Sequence, residues 1–226
     1  MKPLTVALGD DSVDWGRTGI RYGIYLVGLF CISLGTVLQT ESGLGVASLT
    51  CFATFAARAL GTSLGFMIAA TYAIYIAAQA LILRGKFQAR ILLEMVFAVS
   101  MGYLVDAIAA FVQVSPQGFL VQFICMLAAL VVTAFGASLM VQMEVVPNAP
   151  DGLVQVIADA LGTAFGNVKV VFDVSHVSAA LVGSLLLFGD IKGFGPTTVV
   201  SALFLGRIIN VIMSTVGRRA VSIVWE

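Results

Sequence analysis

Six apolar stretches of about twenty residues each leave this chain few choices of fold: roughly 21–40, 64–83, 91–113, 118–142, 167–188 and 195–216. At 1.5 Å per residue, about twenty residues carry a helix across the hydrocarbon of a bilayer. In that solvent each backbone polar group must be satisfied inside the protein, which favours helices over all else. The rest of the chain does not offset this bias. Hydrophobic residues make up 60% of it and charged ones 11%, with a mean hydropathy of +1.05, too little polar surface to cover a soluble globule of 226 residues. The expected class is an all-α polytopic membrane protein with six transmembrane helices.

Two more segments, about 46–60 and 151–162, have helical patterns but are too short to cross. Glycines bound the first, and Pro147, Pro150 and Gly162 bound the second. The second is amphipathic, with Asp151, Gln155 and Asp159 spaced along one face. These segments also carry an internal repeat. ARALGTSLG at 57–65 recurs as ADALGTAFG at 158–166, six of nine positions matching at an offset of 101 residues. Upstream, Gly35 falls on Gly136 and the turn 43–48 on the turn 146–152; downstream the offset grows to 104, so that Gly102 meets Gly206, Asp106 meets Asn210 and Ile108 meets Ile212. Apolar sequence matches itself easily. The ordered glycines and the polar turn between them go beyond what apolar bias supplies, and the pattern is read as a duplication.

Short, glycine- or proline-interrupted segments at matching places in two halves mark broken or re-entrant half-helices. The expected organisation is a cytoplasmic segment at 1–16, a first repeat at 17–114, a second at 115–217 and a cytoplasmic tail at 218–226. Within the repeats, re-entrant half-helices at 46–60 and 151–162 each follow the first span of their half. Charge supports this. With both half-helices returning to the side they enter from, Lys2, Arg17, Arg21, Arg84, Lys86, Arg90, Arg218 and Arg219 lie inside against Lys192 outside, as the positive-inside rule requires. Three spans per half then make the halves an inverted repeat, with both termini in the cytoplasm. Residues 1–16 carry Asp10, Asp11 and Asp14 and no small-residue cleavage site, so no secretory signal is expected.

A formal net charge of zero gives no field for nucleic acid, and Cys31, Cys51 and Cys125 sit in apolar runs, where cysteine acts as a small hydrophobe. No metal, cofactor or disulfide is expected. Function falls to individual polar groups. Both breaks, GLGVASLT at 43–50 and PNAPDGL at 147–153, open a helix whose first N–H groups carry partial positive charge. Asp151 either satisfies its own helix start or binds a cation or a substrate amine; Asn148 lies beside it. Ser48 and Thr50 hold the duplicate positions and leave the first helix end uncompensated, suited to a carboxylate or phosphate oxygen. Gln39 and Gln142, slightly deeper, offer amides to solute or to unwound backbone.

Lys169, Asp173 and His176 share one face of the fifth span, where ionisable groups are costly and need a partner or a task. Lys169 with Asp173 forms a structural ion pair, or Asp173 and His176 take up and release a proton during transport. His176, the only histidine, titrates near neutrality when unperturbed. Its structural reading is a buried, hydrogen-bonded ring. Arg58 and Asp159 sit at equivalent places and take packing or interface roles. In the third and sixth spans, which carry Glu94 and Asp106 and Arg207 and Asn210, an Asp106–Arg207 ion pair braces the halves or serves as a gate between them. Glu41 and Glu144 mark the membrane edge.

The PNAPDGL turn, GTAFGNVKVVFD at 162–173 and GFGPTTVVSALFLGRIIN at 193–210 together resemble the YczE/YyaS/YitT-type bacterial integral membrane proteins. The resemblance covers nearly the whole chain and implies a small multi-span protein of the bacterial cytoplasmic membrane, without implying a substrate. The first half departs from it where Gly45, Val46, Ala47 and Ser48 replace the proline–aspartate turn. The expected function is secondary transport of a small polar or zwitterionic solute by alternating access, bound near the midplane between the two half-helix starts. The alternative is a non-transporting scaffold or regulator that acts through a protein partner. No nucleophile–base pair or metal cluster supports an enzyme, and no stretch resembles a known channel filter. Gly28, Gly35, Ala128, Ala129 and Gly136 permit close helix contact, within one protomer or in a homodimer.

Overall fold

The computed structural model of the protein describes residues 15–84, 89–143, 145–191 and 193–217. Lys2, Lys86, Glu144, Lys192, Arg218, Arg219 and the side chain of Arg90 lie outside the described residues, as do the expected terminal segments almost entirely. The described chain is all helical: α1 (Trp15–Glu41), α2 (Ser48–Leu60), α3 (Leu64–Leu83), α4 (Ala89–Phe111), α5 (Phe119–Met143), α6 (Ala149–Leu161), α7 (Phe165–Phe188) and α8 (Pro196–Thr215). The turns widen to π geometry within α8 at Ser201–Leu205 and again over its end, at Met213–Gly217. All except α2 and α6 are long and apolar enough to cross a membrane. With 13 residues each, α2 and α6 reach only about 20 Å. The protein is thus a multi-pass membrane protein with six candidate spans.

Element boundaries follow from local chemistry. The sequence suggested that the second short helix begins at Asp151, but α6 begins at Ala149 and takes Pro150 into its first turn. Proline is welcome there, since the N–H it lacks has no intrahelical partner at that position. Both short helices end on a glycine in the left-handed region, Gly61 at φ 64° and Gly162 at φ 63°, where a Cβ would be strained. The repeat matched these two glycines.

The centre of the molecule is the crossing of α1 and α5. A Cβ on Gly136 would stand 2.5 Å from the Gly28 carbonyl, and one on Gly28 would stand 2.8 Å from the Gly136 carbonyl. Gly35 abuts Thr133 in the same way, and Ala129 is fully buried. These small residues therefore serve a contact inside the protomer. Around this crossing the packing comes in matched pairs. α2 lies on α7 and α6 on α3; α1 meets α4 and α5 meets α8; α2 adjoins α3 and α6 adjoins α7. One pair breaks the pattern: α3 packs along α4, whereas α7 and α8 make no comparable contact. Large apolar side chains on the outer faces of α7 and α8, among them Val171, Leu186, Leu203 and Val211, are exposed as lipid-facing residues are.

At the far end of α7, Arg58 from α2 forms a bidentate ion pair with Asp190, with bonds of 2.5 and 2.8 Å, and covers the Phe188 ring at 3.9 Å. The equivalent Asp159 accepts a local 2.7 Å bond from Gln155. Arg58 thus has an ion-pair role that the repeat alone did not predict.

If the α1–α5 crossing holds the fold together, Gly136→Val should be severely destabilising, by about 2–3 kcal/mol or more. Gly23→Val, on a face of α1 with nothing within 4 Å, should be nearly neutral. Thermal unfolding of both variants in detergent checks this; equal losses would remove the crossing from its central place.

Candidate functional site

The first break is closed. Gly45, at φ 97°, turns the chain so that Val46 N–H donates to the Gly193 carbonyl at 3.1 Å while Thr197 N–H donates to the Leu44 carbonyl at 3.1 Å. A Cβ on Gly195 would collide with the Leu44 carbonyl. Gln39 accepts from Ala47 N–H at 2.9 Å through Oε1 and donates to Thr133 Oγ1 at 3.0 Å through Nε2. Ser48 N–H donates to Ser201 Oγ at 3.4 Å, Thr198 Oγ1 donates to the Val46 carbonyl at 2.8 Å, and Thr50 Oγ1 donates back to the Ala47 carbonyl at 3.0 Å. The expectation of an uncompensated helix end at Ser48 and Thr50 is therefore corrected. Gln39, eight residues upstream and read from the sequence as an amide for solute or unwound backbone, serves Ala47 N–H, whereas Ser201, 153 residues away, serves Ser48 N–H with no local signal to reveal it. The side chains of Gln39 and Thr50 and the N–H of Ser48 are engaged within the protein rather than presented to a solute.

The second break differs. Asn148 precedes α6 without capping it, and its Oδ1 is buried with no hydrogen-bond partner. Asp151, in the first turn of α6, accepts from Lys169 Nζ on α7 at 2.9 Å. Lys169 also stands 3.4 Å from Asp173 Oδ1, one turn on, and that oxygen too is buried without a hydrogen bond. The contact with Asp173 is thus Coulombic attraction without hydrogen-bond geometry. One ammonium is shared by two carboxylates. From the sequence Asp151 either satisfied its own helix start or bound a cation, and Asp173 either paired with Lys169 or exchanged a proton; the shared Lys169 joins the two carboxylates into one cluster.

The wall facing this cluster comes from α3 and α4. Tyr72 lies beside Asn148 and within electrostatic reach of Asp151. Glu94 on α4 is 2% exposed and accepts from Gln79 Nε2 at 2.8 Å, and the same amide nitrogen donates to the Ala149 carbonyl at 3.2 Å. A Cβ on Gly152 would stand 3.1 Å from both Gln79 Oε1 and Glu94 Oε1, so a buried carboxylate reaches the first turn of α6 directly. Gln79, Tyr72 and this place for Glu94 were missed from sequence. An amide and a carboxylate inside apolar helices were the available signal; their convergence was not.

His176 stands one turn beyond Asp173. Its Nδ1 lies 2.7 Å from the Phe172 carbonyl, which can only accept, so Nδ1 carries the proton. Nε2 then accepts from the Tyr75 hydroxyl at 2.5 Å. The ring also packs against Phe172 at 4.2 Å and Phe52 at 6.1 Å. This is a hydrogen-bonded, half-buried imidazole, as its structural reading expected. Gln142 donates to the Ser138 carbonyl at 3.0 Å within its own helix and does not join the cluster.

The expected Asp106–Arg207 pair is also corrected. Asp106 accepts from Ser63 Oγ at 2.6 Å and from Gly65 N–H at 2.8 Å, capping the start of α3. A carboxylate satisfies orphan amides and complements the positive end of the helix dipole. Arg207 and Asn210 are exposed on α8, with Arg207 over the Phe204 ring at 5.7 Å. Asp106 therefore braces one half internally and does not join the two.

Among the described residues no group of three or more His, Cys, Asp and Glu side chains is placed to hold a metal ion. The fold and this cluster define a multi-pass helical membrane protein with a polar centre where α6 meets α3, α4 and α7. The chain belongs to a family of unknown function, DUF6198, matched over residues 19–214, a range that takes in nearly all of the described helical structure. No curated protein and no solved structure matches it.

The capping role of Asp106 makes Asp106→Ala destabilising by about 1–2 kcal/mol, against less than about 0.5 kcal/mol for Arg207→Ala. Additive effects in the double variant are expected by thermal unfolding. Coupling between the two positions would restore the inter-helix pair.

Proposed function

We propose that the protein is a secondary transporter of a small polar solute that carries a protonated amine, zwitterions included, working by alternating access. The observation that carries this is a lysine shared by two carboxylates at the start of α6, where Asp173 Oδ1 meets Lys169 only through its charge and Asn148 Oδ1 is buried without a hydrogen bond. Buried acceptors without donors cost free energy, and an incoming ammonium removes that cost. Lys169 is the resident cation that such a solute displaces or joins. For a zwitterion, Lys169 and the positive end of α6 receive the carboxylate. Asp173 serves in solute or proton coupling, with His176 as the neighbouring proton acceptor.

The proposal includes an inverted repeat of two three-span halves, with α2 and α6 as re-entrant half-helices. The matched packing pairs support it, as does the parallel use of the last helix in each half, since Glu94 reaches the start of α6 while Thr198 and Ser201 reach the start of α2. The site is proposed to lie near the bilayer midplane, in a bacterial cytoplasmic membrane with both termini cytoplasmic. Kinship with the YczE/YyaS/YitT-type proteins belongs to the same proposal. A scaffold acting through a protein partner is the second reading, favoured by the internal engagement of Gln39, Thr198 and Ser201 at the first break.

Thermal unfolding of the purified protein with panels of amines, amino acids and organic acids across pH tests this. A solute at 100 times its Kd stabilises by about 2.7 kcal/mol. Stabilisation by amine-bearing solutes is expected, and its loss in Asp173→Asn and Asp151→Asn. Equal stabilisation by acids lacking an amine would refute the amine. No response to any class, with both variants folded, would favour the scaffold.

A further inference from the structure

In their helix packing the two halves differ at one contact, and that difference has the form of a conformational switch. In the first half α3 and α4 meet through Gly65 and Gly102, both buried: a Cβ on Gly65 would collide with the Gly102 carbonyl, and one on Gly102 would stand 2.6 Å from the Gly65 carbonyl. Asp106 seals the contact by accepting from Ser63 Oγ and Gly65 N–H. At the 101- and 104-residue offsets the same positions in the second half are Ala164, Gly166, Gly206 and Asn210. All four are exposed, and Gly166 and Gly206 have nothing within 4 Å of a built Cβ. The start of α7 has no side-chain cap. The second half thus holds the parts of the same joint, unassembled.

The helix that should close it also has a different shape. α8 widens to a π turn at Ser201–Leu205, directly before Gly206, whereas the corresponding stretch of α4 is ordinary α-helix. One residue gained or lost in such a turn rotates everything beyond it by roughly 100°. Conversion of this turn to α geometry would therefore swing Gly206 and Asn210 together onto another face of α8.

We propose that the protein has a second conformation in which the joints exchange: α7 closes on α8 through Gly166 and Gly206, with the Asn210 amide oxygen accepting from Gly166 N–H, while α3 and α4 part. This rests on the inverted-repeat reading, because a pseudo-two-fold axis makes the swapped arrangement similar in energy to the present one. The two are not degenerate. Asp106 forms charge-assisted bonds and Asn210 neutral ones, so the conformation with α3 and α4 closed is favoured. In the proposed topology the two joints lie toward opposite faces of the membrane, so their exchange switches access from one face to the other.

Cross-linking of the full chain in membrane vesicles tests the exchange, with Cys31, Cys51 and Cys125 replaced by alanine and a short bis-methanethiosulfonate as probe. Ala164→Cys with Asn210→Cys should cross-link within one chain, although the two positions belong to helices that stand apart here. Adding Asp106→Asn, which weakens the α3–α4 joint without changing its shape, should speed that reaction about three- to tenfold. Adding Gly206→Val, tolerated in the present conformation because the position is open, should slow it at least about tenfold. Both cysteine pairs remove the polar seal of their joint and leave its glycine contact, so Ser63→Cys with Asp106→Cys is the matched control for a joint already closed. Failure of the Ala164→Cys and Asn210→Cys pair while that control reacts would overturn the proposal. So would cross-links joining two chains, which would make this face an interface between copies. The readout needs no solute, so intrachain closure in a protein that no solute stabilises would retain the switch and remove the transport reading.

Discussion

Backbone that leaves a helix among apolar helices must find its hydrogen bonds inside the protein, and the rest of this structure depends on how two such breaks meet that demand. At the first, the chain around Gly45 exchanges N–H and carbonyl groups with the 193–197 turn, and Gln39, Thr198 and Ser201 complete the set. At the second, Gln79 serves the Ala149 carbonyl, but Asn148 Oδ1 is left over. Both breaks leave one buried side-chain oxygen over, Thr197 Oγ1 at the first and Asn148 Oδ1 at the second. What sets the second apart is charge, with Asp151, Lys169 and Asp173 gathered beside it.

This division decides what each half can do. The first break holds α2 against α8 as fixed structure, because a group that left it would strand several buried partners. The second keeps one ammonium between two carboxylates, with a third, Glu94, in the wall behind Gly152. Such a centre is held together by charges that an arriving charge can rearrange. His176, by contrast, is tied at both nitrogens, to the Phe172 carbonyl and the Tyr75 hydroxyl. A proton arriving at Nε2 must first take the lone pair that Tyr75 uses.

Much of the fold was legible because the bilayer allows so little: span number, the two short helices and their glycine ends all follow from apolar length and the repeat. Boundaries failed where a local rule was overlooked, as at Pro150, which starts a helix rather than preceding it. The cluster was legible in part. Asp151, Lys169 and Asp173 stood out because charge in an apolar helix is conspicuous, and spacing set Lys169 beside Asp173. Distance in sequence hid the rest. Nothing near Ser48 announces Ser201, and Asp106 offered no local sign that Ser63 and Gly65, rather than Arg207, were its partners.

The Gln39–Thr133 bond joins helices 94 residues apart in the chain, at the crossing where Gly28 and Gly136 touch. At roughly 5–20 residues per second, the ribosome takes about 5–20 s to deliver α5 after the polar stretch of α1 has been made. For that interval Gln39 has neither Thr133 nor its final packing. Newly made α1 must therefore wait at the insertion machinery or at the membrane surface, or borrow a partner. Assembly of this protein is thus paced by synthesis, and its two halves cannot mature one after the other as independent units.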